Sequence, residues 1–162
     1  MKPMIISLIL FICMPIYIWG DIPIKKQLLT PEQTINELKK IKAKAISFGS
    51  GKNEIHTFID PHCELSQRYL AFVFKKKEQM FAKYTFYFYL NELKGKDSAE
   101  IILSILSAPY PAIALKTIML QHGDINIQED DNTQDIVDEI EESAKLIGVF
   151  KRPYIIINGK VK

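Results

Sequence analysis

Apolar residues recur along the chain with two different periods, and these periods separate predicted helices from predicted strands. The segment Thr30-Pro31-Glu32-Gln33 has the composition of a helix start, because threonine suits the capping position, proline suits the first turn, and glutamine completes a capping box. Ile35, Leu38 and Ile41 then follow at helical spacing. The pattern therefore predicts a helix over residues 31–43, ahead of the first strand.

Runs of aromatic and β-branched residues predict the strands. The run over residues 84–90 (Tyr-Thr-Phe-Tyr-Phe-Tyr-Leu) is the strongest, and because both of its faces are bulky we expect it inside a sheet that is covered on both sides. Shorter apolar runs predict strands at 45–48, 55–59 and 154–157, and Asn158-Gly159 is typical of a tight hairpin turn.

Helical spacing accounts for most of the remaining chain. One helix is predicted over residues 65–82, with these candidate core contacts: Leu65, Tyr69, Phe72, Val73 and Met80. Asp97-Ser98-Ala99-Glu100 forms a second capping box and begins a helical insertion, which continues over 112–121. After an acidic loop, a last helix runs from Asp131 or Asn132 to residue 147. This order predicts an α/β fold with a mixed sheet and helices on its faces.

The N-terminal segment is typical of a secretory signal. Residues 4–19 are almost wholly apolar, follow Lys2 and precede the small residue Gly20, so we expect cleavage after position 20 and an extracytoplasmic, periplasmic location. An uncleaved membrane anchor is the alternative, because the run approaches the roughly 20 residues that span a bilayer. A lipoprotein site at Cys13 is disfavoured, since the residues before it are bulky.

Composition limits the function classes. The 162 residues suffice for one domain, and the net charge of +2 is too small to predict nucleic-acid binding. The three histidines, His56, His62 and His122, lack metal-ligand spacing, and no phosphate-binding loop or dinucleotide fingerprint is present. The sequence therefore predicts neither a metal nor another cofactor.

Cys63 is the only cysteine outside the N-terminal apolar segment. It follows a strand that ends at Asp60-Pro61 and precedes a helix, where unpaired backbone N–H groups and the helix dipole favour a thiolate. Its polar flanks argue against burial in apolar surroundings. The residue three positions later is Ser66, where a dithiol redox site would carry its second cysteine. A lone thiol in an exported protein needs a reason, because oxidising compartments favour paired cysteines.

These residues resemble the thioredoxin superfamily, and within it the bacterial periplasmic disulfide isomerases of the DsbC and DsbG kind. The resemblance covers about residues 45–162. It rests on the segments 58–66 (Phe-Ile-Asp-Pro-His-Cys-Glu-Leu-Ser) and 148–159 (Gly-Val-Phe-Lys-Arg-Pro-Tyr-Ile-Ile-Ile-Asn-Gly), and on the helical insertion between them. It implies a thioredoxin-like domain at 44–162, which follows the signal peptide or uncleaved anchor at 1–20 and the linker and helix at 21–43 that the residue pattern predicts.

The resemblance also implies a role for each matching residue. Cys63 would be the attacking thiol, Ser66 the replaced resolving position, and Pro153 a cis-proline lying against the sulfur. The backbone of Arg152 would pair with an extended substrate segment. Arg152, which replaces the family's threonine or small residue, would change access to the thiol. The residues themselves add two further expectations: Ser66 could donate a hydrogen bond to the Cys63 thiolate, and protonated His62 would stabilise it, the alternative for His62 being an exposed loop residue without a role. The family's C-terminal helix and its N-terminal dimerisation domain have no counterpart in the sequence. We therefore expect either that the N-terminal helix covers a sheet face instead or that the product is truncated and only marginally folded.

The implied function is thiol–disulfide exchange. Cys63 would form mixed disulfides with cysteine-containing exported proteins, and release would need an external thiol because serine cannot resolve them. This chemistry suits isomerisation or retention of thiol-bearing clients, with membrane contact only if the N-terminal segment is kept. Two alternatives stay open: a non-catalytic periplasmic binding or adaptor protein on the same fold, and a truncated paralogue.

Overall fold

The computed structural model describes residues 27–125 and 131–162. The predicted signal segment at 1–20 with its Cys13, the first part of the linker, and most of the acidic loop before the last helix lie outside these residues. In the described ranges, no helix is both long and apolar enough to cross a membrane. The proposed division at residues 43 and 44 remains a prediction.

Five strands form one mixed sheet in the order β1-β3-β2-β4-β5. The central pair, β2 and β3, is parallel, and every other pair is antiparallel. The strands are β1 Ile46–Phe48, β2 Asn53–Ile59, β3 Tyr84–Leu90, β4 Tyr154–Ile157 and β5 Lys160–Val161. The mixed α/β sheet predicted from the sequence is thereby confirmed, and β3 has the bounds that its aromatic run indicated.

Six α-helices surround this sheet. They are α1 Pro31–Ile41, α2 Glu64–Lys75, α3 Lys77–Lys83, α4 Ala99–Ser107, α5 Pro111–Gln121 and α6 Asp131–Ile147, and a short 3-10 turn at Lys42–Lys44 extends α1. Thr30 caps α1 through the predicted capping box with Gln33. The single helix expected over 65–82 is instead broken at Lys76, whose backbone leaves the helical region (φ −111°, ψ 24°).

The two faces of β3 belong to two separate cores. Phe86, Phe88 and Leu90 face one core, which the helices α2, α4 and α5 cover. Tyr89 faces the other core, where α1 and α6 cover the sheet. Because side chains alternate along a strand, a run that is bulky on both faces fits only a strand covered on both sides. The expected position of this strand inside the sheet is confirmed.

Helix α1 covers one face of the sheet together with α6. Its Leu38 and Ile41 are almost fully buried against Ile140, Ala144 and Ile147 of α6. At the start of α1, the carbonyl of Pro31 lies so close to the hairpin turn that a Cβ added to Gly159 would sit 2.1 Å from it. The N-terminal helix is therefore an integral layer of the fold.

Two core predictions for α2 were wrong. Leu65 and Phe72 are 57% and 49% exposed, whereas Leu70 and Val73 are fully buried. The buried stripe of the helix runs through Ser66, Leu70 and Val73, so the helix is rotated relative to the phase that Leu65 and Phe72 would need. The burial of Ser66 fixes that rotation next to Cys63.

Candidate active site

Cys63 lies where β2 ends and α2 begins. It occupies the capping position of α2, its own N–H donates to the carbonyl of Asp60 at 3.1 Å, and its carbonyl accepts from the N–H of Gln67 at 3.0 Å. The thiol donates to the carbonyl oxygen of Arg152, with Sγ and O 3.7 Å apart. Cys63 is a free cysteine and is only 5% exposed. The polar flanks therefore misled the sequence argument, since the segment before Pro153 closes over the sulfur.

The peptide bond between Arg152 and Pro153 is cis, as the resemblance implied. Both residues precede β4, whose first residue, Tyr154, lies opposite Phe58 of β2. This pairing brings the cis bond to the same end of the sheet as Cys63. The contact between the sulfur and the Arg152 carbonyl therefore joins two loops that are 89 residues apart in sequence.

The carboxylate of Asp60 is fully buried and organises the loops around the thiol. It accepts the backbone N–H of His62 at 2.7 Å, the backbone N–H of Leu93 at 2.5 Å and the hydroxyl of Ser98 at 2.8 Å. A buried carboxylate is stable when several donors surround it. Asp60 thus ties the start of α2 to the segment that follows β3. Sequence reasoning assigned it no role, although an aspartate at a strand end was a visible signal.

The capping box predicted at 97–100 is not formed: the capping position of α4 belongs to Ser98, whose side chain makes no cap hydrogen bond. Its hydroxyl donates to Asp60, and its backbone N–H donates to the side chain of Glu92 at 2.7 Å. Asp97, which precedes it, has a left-handed backbone with φ 53°. The polar residues at 97–100 therefore hold the insertion against the thiol site rather than closing a capping box.

Ser66 is fully buried below Cys63 on α2. Its hydroxyl oxygen accepts the backbone N–H of Asp60 at 3.3 Å. Among the interactions of the described residues, this is the hydrogen bond that Ser66 makes, and the sulfur of Cys63 is not its partner. The side chain in the resolving position consequently supports the strand end, and a direct effect on the thiol remains a prediction.

Arg152 buries a guanidinium group beside the site. Its Nε donates to the backbone carbonyl of Asn91 at 2.9 Å, and its Nη1 donates to the backbone carbonyl of Lys151 at 2.8 Å. Its Nη2 donates both to the backbone carbonyl of Glu92 at 3.1 Å and to the side-chain Oδ1 of Asn91. Burial lowers the pKa of Arg152 to about 10, and the nearby Asp60 and Cys63 oppose this shift. The side chain therefore remains charged at neutral pH and links the cis-proline loop to the end of β3.

His62 is exposed, next to the thiol in sequence. Its backbone N–H donates to Asp60, and its ring Nδ1 lies 3.1 Å from the carbonyl of Lys96. The ring is thus drawn toward the insertion loop. The predicted tuning of Cys63 by His62 stays a prediction.

A groove of about 560 Å³ opens beside Arg152, between α4 and α6. Its lining includes Ile102, Leu103, Val137, Val149 and Phe150. Polar and charged residues, among them Glu92, Glu141 and Lys145, complete the lining, so the groove next to the cis-proline loop has a mixed surface. Across residues 27–125 and 131–162, no group of three or more His, Cys, Asp or Glu side chains is arranged to hold a metal ion.

Comparison with known proteins extends the fold assignment. No protein-family model and no curated protein matches the sequence. Among solved structures, ScsC of Proteus mirabilis in a compact conformation is similar with a TM-score of 0.67 and 15% identity, over 85% of this chain and 74% of that one. A disulfide interchange protein from Neisseria gonorrhoeae gives a TM-score of 0.59 and 22% identity, over 74% of this chain and 84% of that one.

A third similar structure is a periplasmic thioredoxin-like protein from Salmonella enterica serovar Typhimurium. Its TM-score is 0.59 with 14% identity, over 82% of this chain and 88% of that one. At these identities the likeness concerns the fold. Together with the cis-proline facing Cys63, it establishes that the chain has a thioredoxin-like fold.

Proposed function

We propose that this protein is an exported thiol–disulfide exchange protein that acts through Cys63. The proposal is carried by one observation: Cys63 Sγ lies at the N-terminal end of α2, 3.7 Å from the carbonyl that precedes the cis bond of Pro153. The unpaired N–H groups of the helix end present positive partial charge to the sulfur. The buried positive charge of Arg152 acts in the same direction.

The proposed reaction begins with attack of the Cys63 thiolate on a disulfide of a client protein. A new bond forms between Cys63 Sγ and one client sulfur, the client disulfide breaks, and the other sulfur leaves as a thiolate that takes a proton from water. A second thiol, either on the client or on a small external molecule, then attacks the mixed disulfide. This step releases the client and restores the Cys63 thiolate, so the cycle exchanges disulfides without net oxidation.

Ser66 determines which half of this chemistry the protein performs by itself. A serine hydroxyl cannot displace the client sulfur, so the mixed disulfide persists until an external thiol arrives. The site is therefore suited to isomerisation or to retention of thiol-bearing clients. This agrees with the resemblance of the sequence to disulfide isomerases. The 5% exposure of Cys63 also means that a client must displace the cis-proline loop or insert a narrow segment.

The proposed clients are cysteine-containing exported proteins, and the proposed location is extracytoplasmic. Two facts support this location: the apolar N-terminal segment of the sequence, and the description of a similar structure as periplasmic. The groove beside Arg152, lined by both apolar and charged residues, offers a surface for a client segment that flanks the reacting cysteine. Mass measurement of the exported protein would report any processing of residues 1–20.

The decisive experiment follows mixed-disulfide formation by intact mass, in a Cys13→Ala background that leaves one thiol. A peptide containing one strained disulfide is added to the native protein, and we expect a single peptide adduct on Cys63 that disappears when a small thiol is added. Cys63→Ala is the matched control and should form no adduct. Labelling of Cys63 only after denaturation, with no adduct under native conditions, would overturn the proposal.

A Ser66→Cys variant sharpens this result. It places a second thiol three residues after Cys63, so the adduct should resolve into an internal disulfide and leave without any external thiol. A long-lived adduct in the wild type and a short-lived one in the variant would assign the persistence to Ser66. Equal lifetimes would show that access, rather than the missing thiol, controls release.

The second candidate is a non-catalytic binding or adaptor domain, and the near-complete burial of Cys63 favours it. In that case, capture of clients would be the same for the wild type and for Cys63→Ala. Comparing the captured proteins on gels with and without reductant separates the two functions, because only the exchange protein loses its reductant-sensitive partners in the variant.

A further inference from the structure

A second cavity, of about 370 Å³, lies at the end of the sheet opposite Cys63. It is lined by the first residues of β2, by the β4–β5 turn and by one side of α1. Cys63 follows the last residue of the same strand β2, so the two sites are separated by the length of the sheet. Thiol exchange uses none of the side chains in this cavity.

The lining carries an excess of positive charge. The lining contains three lysines, Lys39, Lys42 and Lys52, and one carboxylate, that of Glu54. Lys42 forms an ion pair with Glu54, and this contact raises the pKa of the lysine and lowers that of the glutamate. Lys39 and Lys52 have no ion-pair partner among the described residues. Two ammonium groups are therefore left to attract an anion.

The single carboxylate is further engaged by a buried histidine. His56 Nε2 lies 3.3 Å from Glu54, and His56 Nδ1 lies 2.9 Å from the hydroxyl of Tyr89. Burial is the largest effect on the pKa of His56 and lowers it, so the ring is neutral at pH 7. A neutral ring that donates to Glu54 and accepts from Tyr89 satisfies all three groups. Glu54 is thus held by both Lys42 and His56, which leaves it poorly placed to neutralise Lys39 and Lys52.

We propose that this cavity binds a phosphate group between Lys39 and Lys52. Lysine ammonium groups serve as point charges for phosphate, and two unpaired ones can both contact the oxygens of one phosphate group, in a monoester or in a diester. Asn158, exposed in the turn at the cavity edge, adds an amide that can donate a hydrogen bond. The ligand is either a soluble phosphate compound or the headgroup of an anionic lipid.

The path of the chain is consistent with a lipid source. The Gln27 side chain donates to the carbonyl of Gly159 at 2.7 Å and accepts the N–H of Val161 at 3.1 Å, so Gln27 lies against the β4–β5 turn at the edge of this cavity. In the sequence, Lys25, Lys26 and the apolar run 4–19 precede this point. Basic residues next to an apolar segment are attracted to anionic membrane surfaces.

The test titrates the full chain with inorganic phosphate and, separately, with vesicles of phosphatidylglycerol or of phosphatidylcholine. The variant Lys39→Gln/Lys52→Gln removes the two unpaired charges. The control Lys75→Gln/Lys77→Gln removes two exposed lysines elsewhere, so both variants have the same net charge. We expect saturable binding by the wild type and the control, and binding that is about tenfold weaker in the cavity variant.

Each outcome decides the proposal. Loss of phosphate binding in the cavity variant alone assigns a soluble ligand, and loss of phosphatidylglycerol binding alone assigns a lipid headgroup. Equal losses in the two variants, or no saturable binding to any probe, would overturn the proposal. Cys63→Ala should bind as the wild type does, so failure here and failure of the thiol chemistry are distinguishable.

Discussion

The two ends of the sheet differ in whether their charged side chains are buried or exposed. At the end of β2, the thiol site buries the carboxylate of Asp60 and the guanidinium of Arg152 almost completely. At its start, Lys42 and Glu54 keep 38% and 42% of their side-chain surface, and the buried member is the neutral ring of His56. Buried charges are costly unless hydrogen bonds surround them.

This difference indicates what each end can do. The charges near Cys63 are held by backbone amides, carbonyls and Ser98, which fixes their positions and shapes the surroundings of one sulfur. The charges around the start of β2, which we call the lysine end of the sheet (Lys39, Lys42, Lys52 and Glu54), are exposed and partly unpaired. They therefore remain available to an ion from solution. Rigid charge suits the tuning of a reacting atom, whereas accessible charge suits the capture of a ligand.

Removal of the Asp60 carboxylate is the strongest way to break this contrast. Asp60→Ala leaves three donors without an acceptor and takes a nearby negative charge from Arg152. We expect a loss of about 4 kcal/mol in the free energy of unfolding, measured by denaturant titration. Asp138→Ala, on the exposed side of α6, should change it by less than about 0.5 kcal/mol. Similar losses in both variants would show that Asp60 organises nothing.

Gly159 and Gly95 have similar backbone conformations, so alanine substitutions at these two positions compare how tightly the chain is packed at the two ends of the sheet. Gly159, in the turn of the lysine end, has φ 72° and Gly95, in the loop after β3, has φ 86°. A Cβ at Gly159 would meet the carbonyl of Pro31 at 2.1 Å, whereas one at Gly95 meets nothing within 4 Å. We expect Gly95→Ala to cost about 1 kcal/mol, from the left-handed backbone alone, and Gly159→Ala about 3 kcal/mol. Thermal unfolding of both variants measures the difference, and equal midpoints would contradict it.

The pH dependence of the free energy of unfolding tests the role of His56, the buried titratable residue at the lysine end. Burial lowers the pKa of His56 below its ordinary value of 6.5, with Glu54 opposing the shift and Lys42 adding to it. Below pH 6.5 the unfolded chain therefore binds a proton that the native ring resists, so stability is retained above this pH and falls as the pH decreases.

We expect the free energy of unfolding to fall more steeply between pH 7 and pH 5 for the wild type than for His56→Gln. Tyr87 and Tyr89 also stack on the ring, and burial raises the pKa of Tyr89 far above this range. The measurement at pH 8, where the ring is neutral in both states, supplies the reference for each protein. Parallel slopes below pH 7 would show that another group is responsible.

The sequence was sufficient for the order of elements and for the central strand. An aromatic run that is bulky on both faces has few places in a fold other than a covered strand, so β3 was predicted with its correct bounds. The capping box at Thr30 was also predicted correctly, because all of its contacts are local. The cis bond at Pro153 was found through the resemblance, and no local pattern would have indicated it.

The predictions that failed depended on long-range partners. The hydroxyl of Ser98 and the N–H of Leu93 meet Asp60 across more than 30 residues, and nothing near them in sequence indicates this pairing. The rotation of α2 likewise depends on the residues that its buried side packs against in the folded state. The sequence pattern does not contain this information, so Leu65 and Phe72 were assigned to the core although they are exposed. Local periodicity gives the existence of a helix more securely than its orientation.

The double role of Arg152 makes the loops around the thiol a single cooperative unit. Its carbonyl contacts the sulfur of Cys63, while its guanidinium holds Asn91 and Glu92. Outward movement of the cis-proline loop therefore breaks the contacts with the segment after β3 at the same time. Under the proposed function, a client that reaches the sulfur must displace both segments together, so the free energy of that joint movement would enter the rate of exchange.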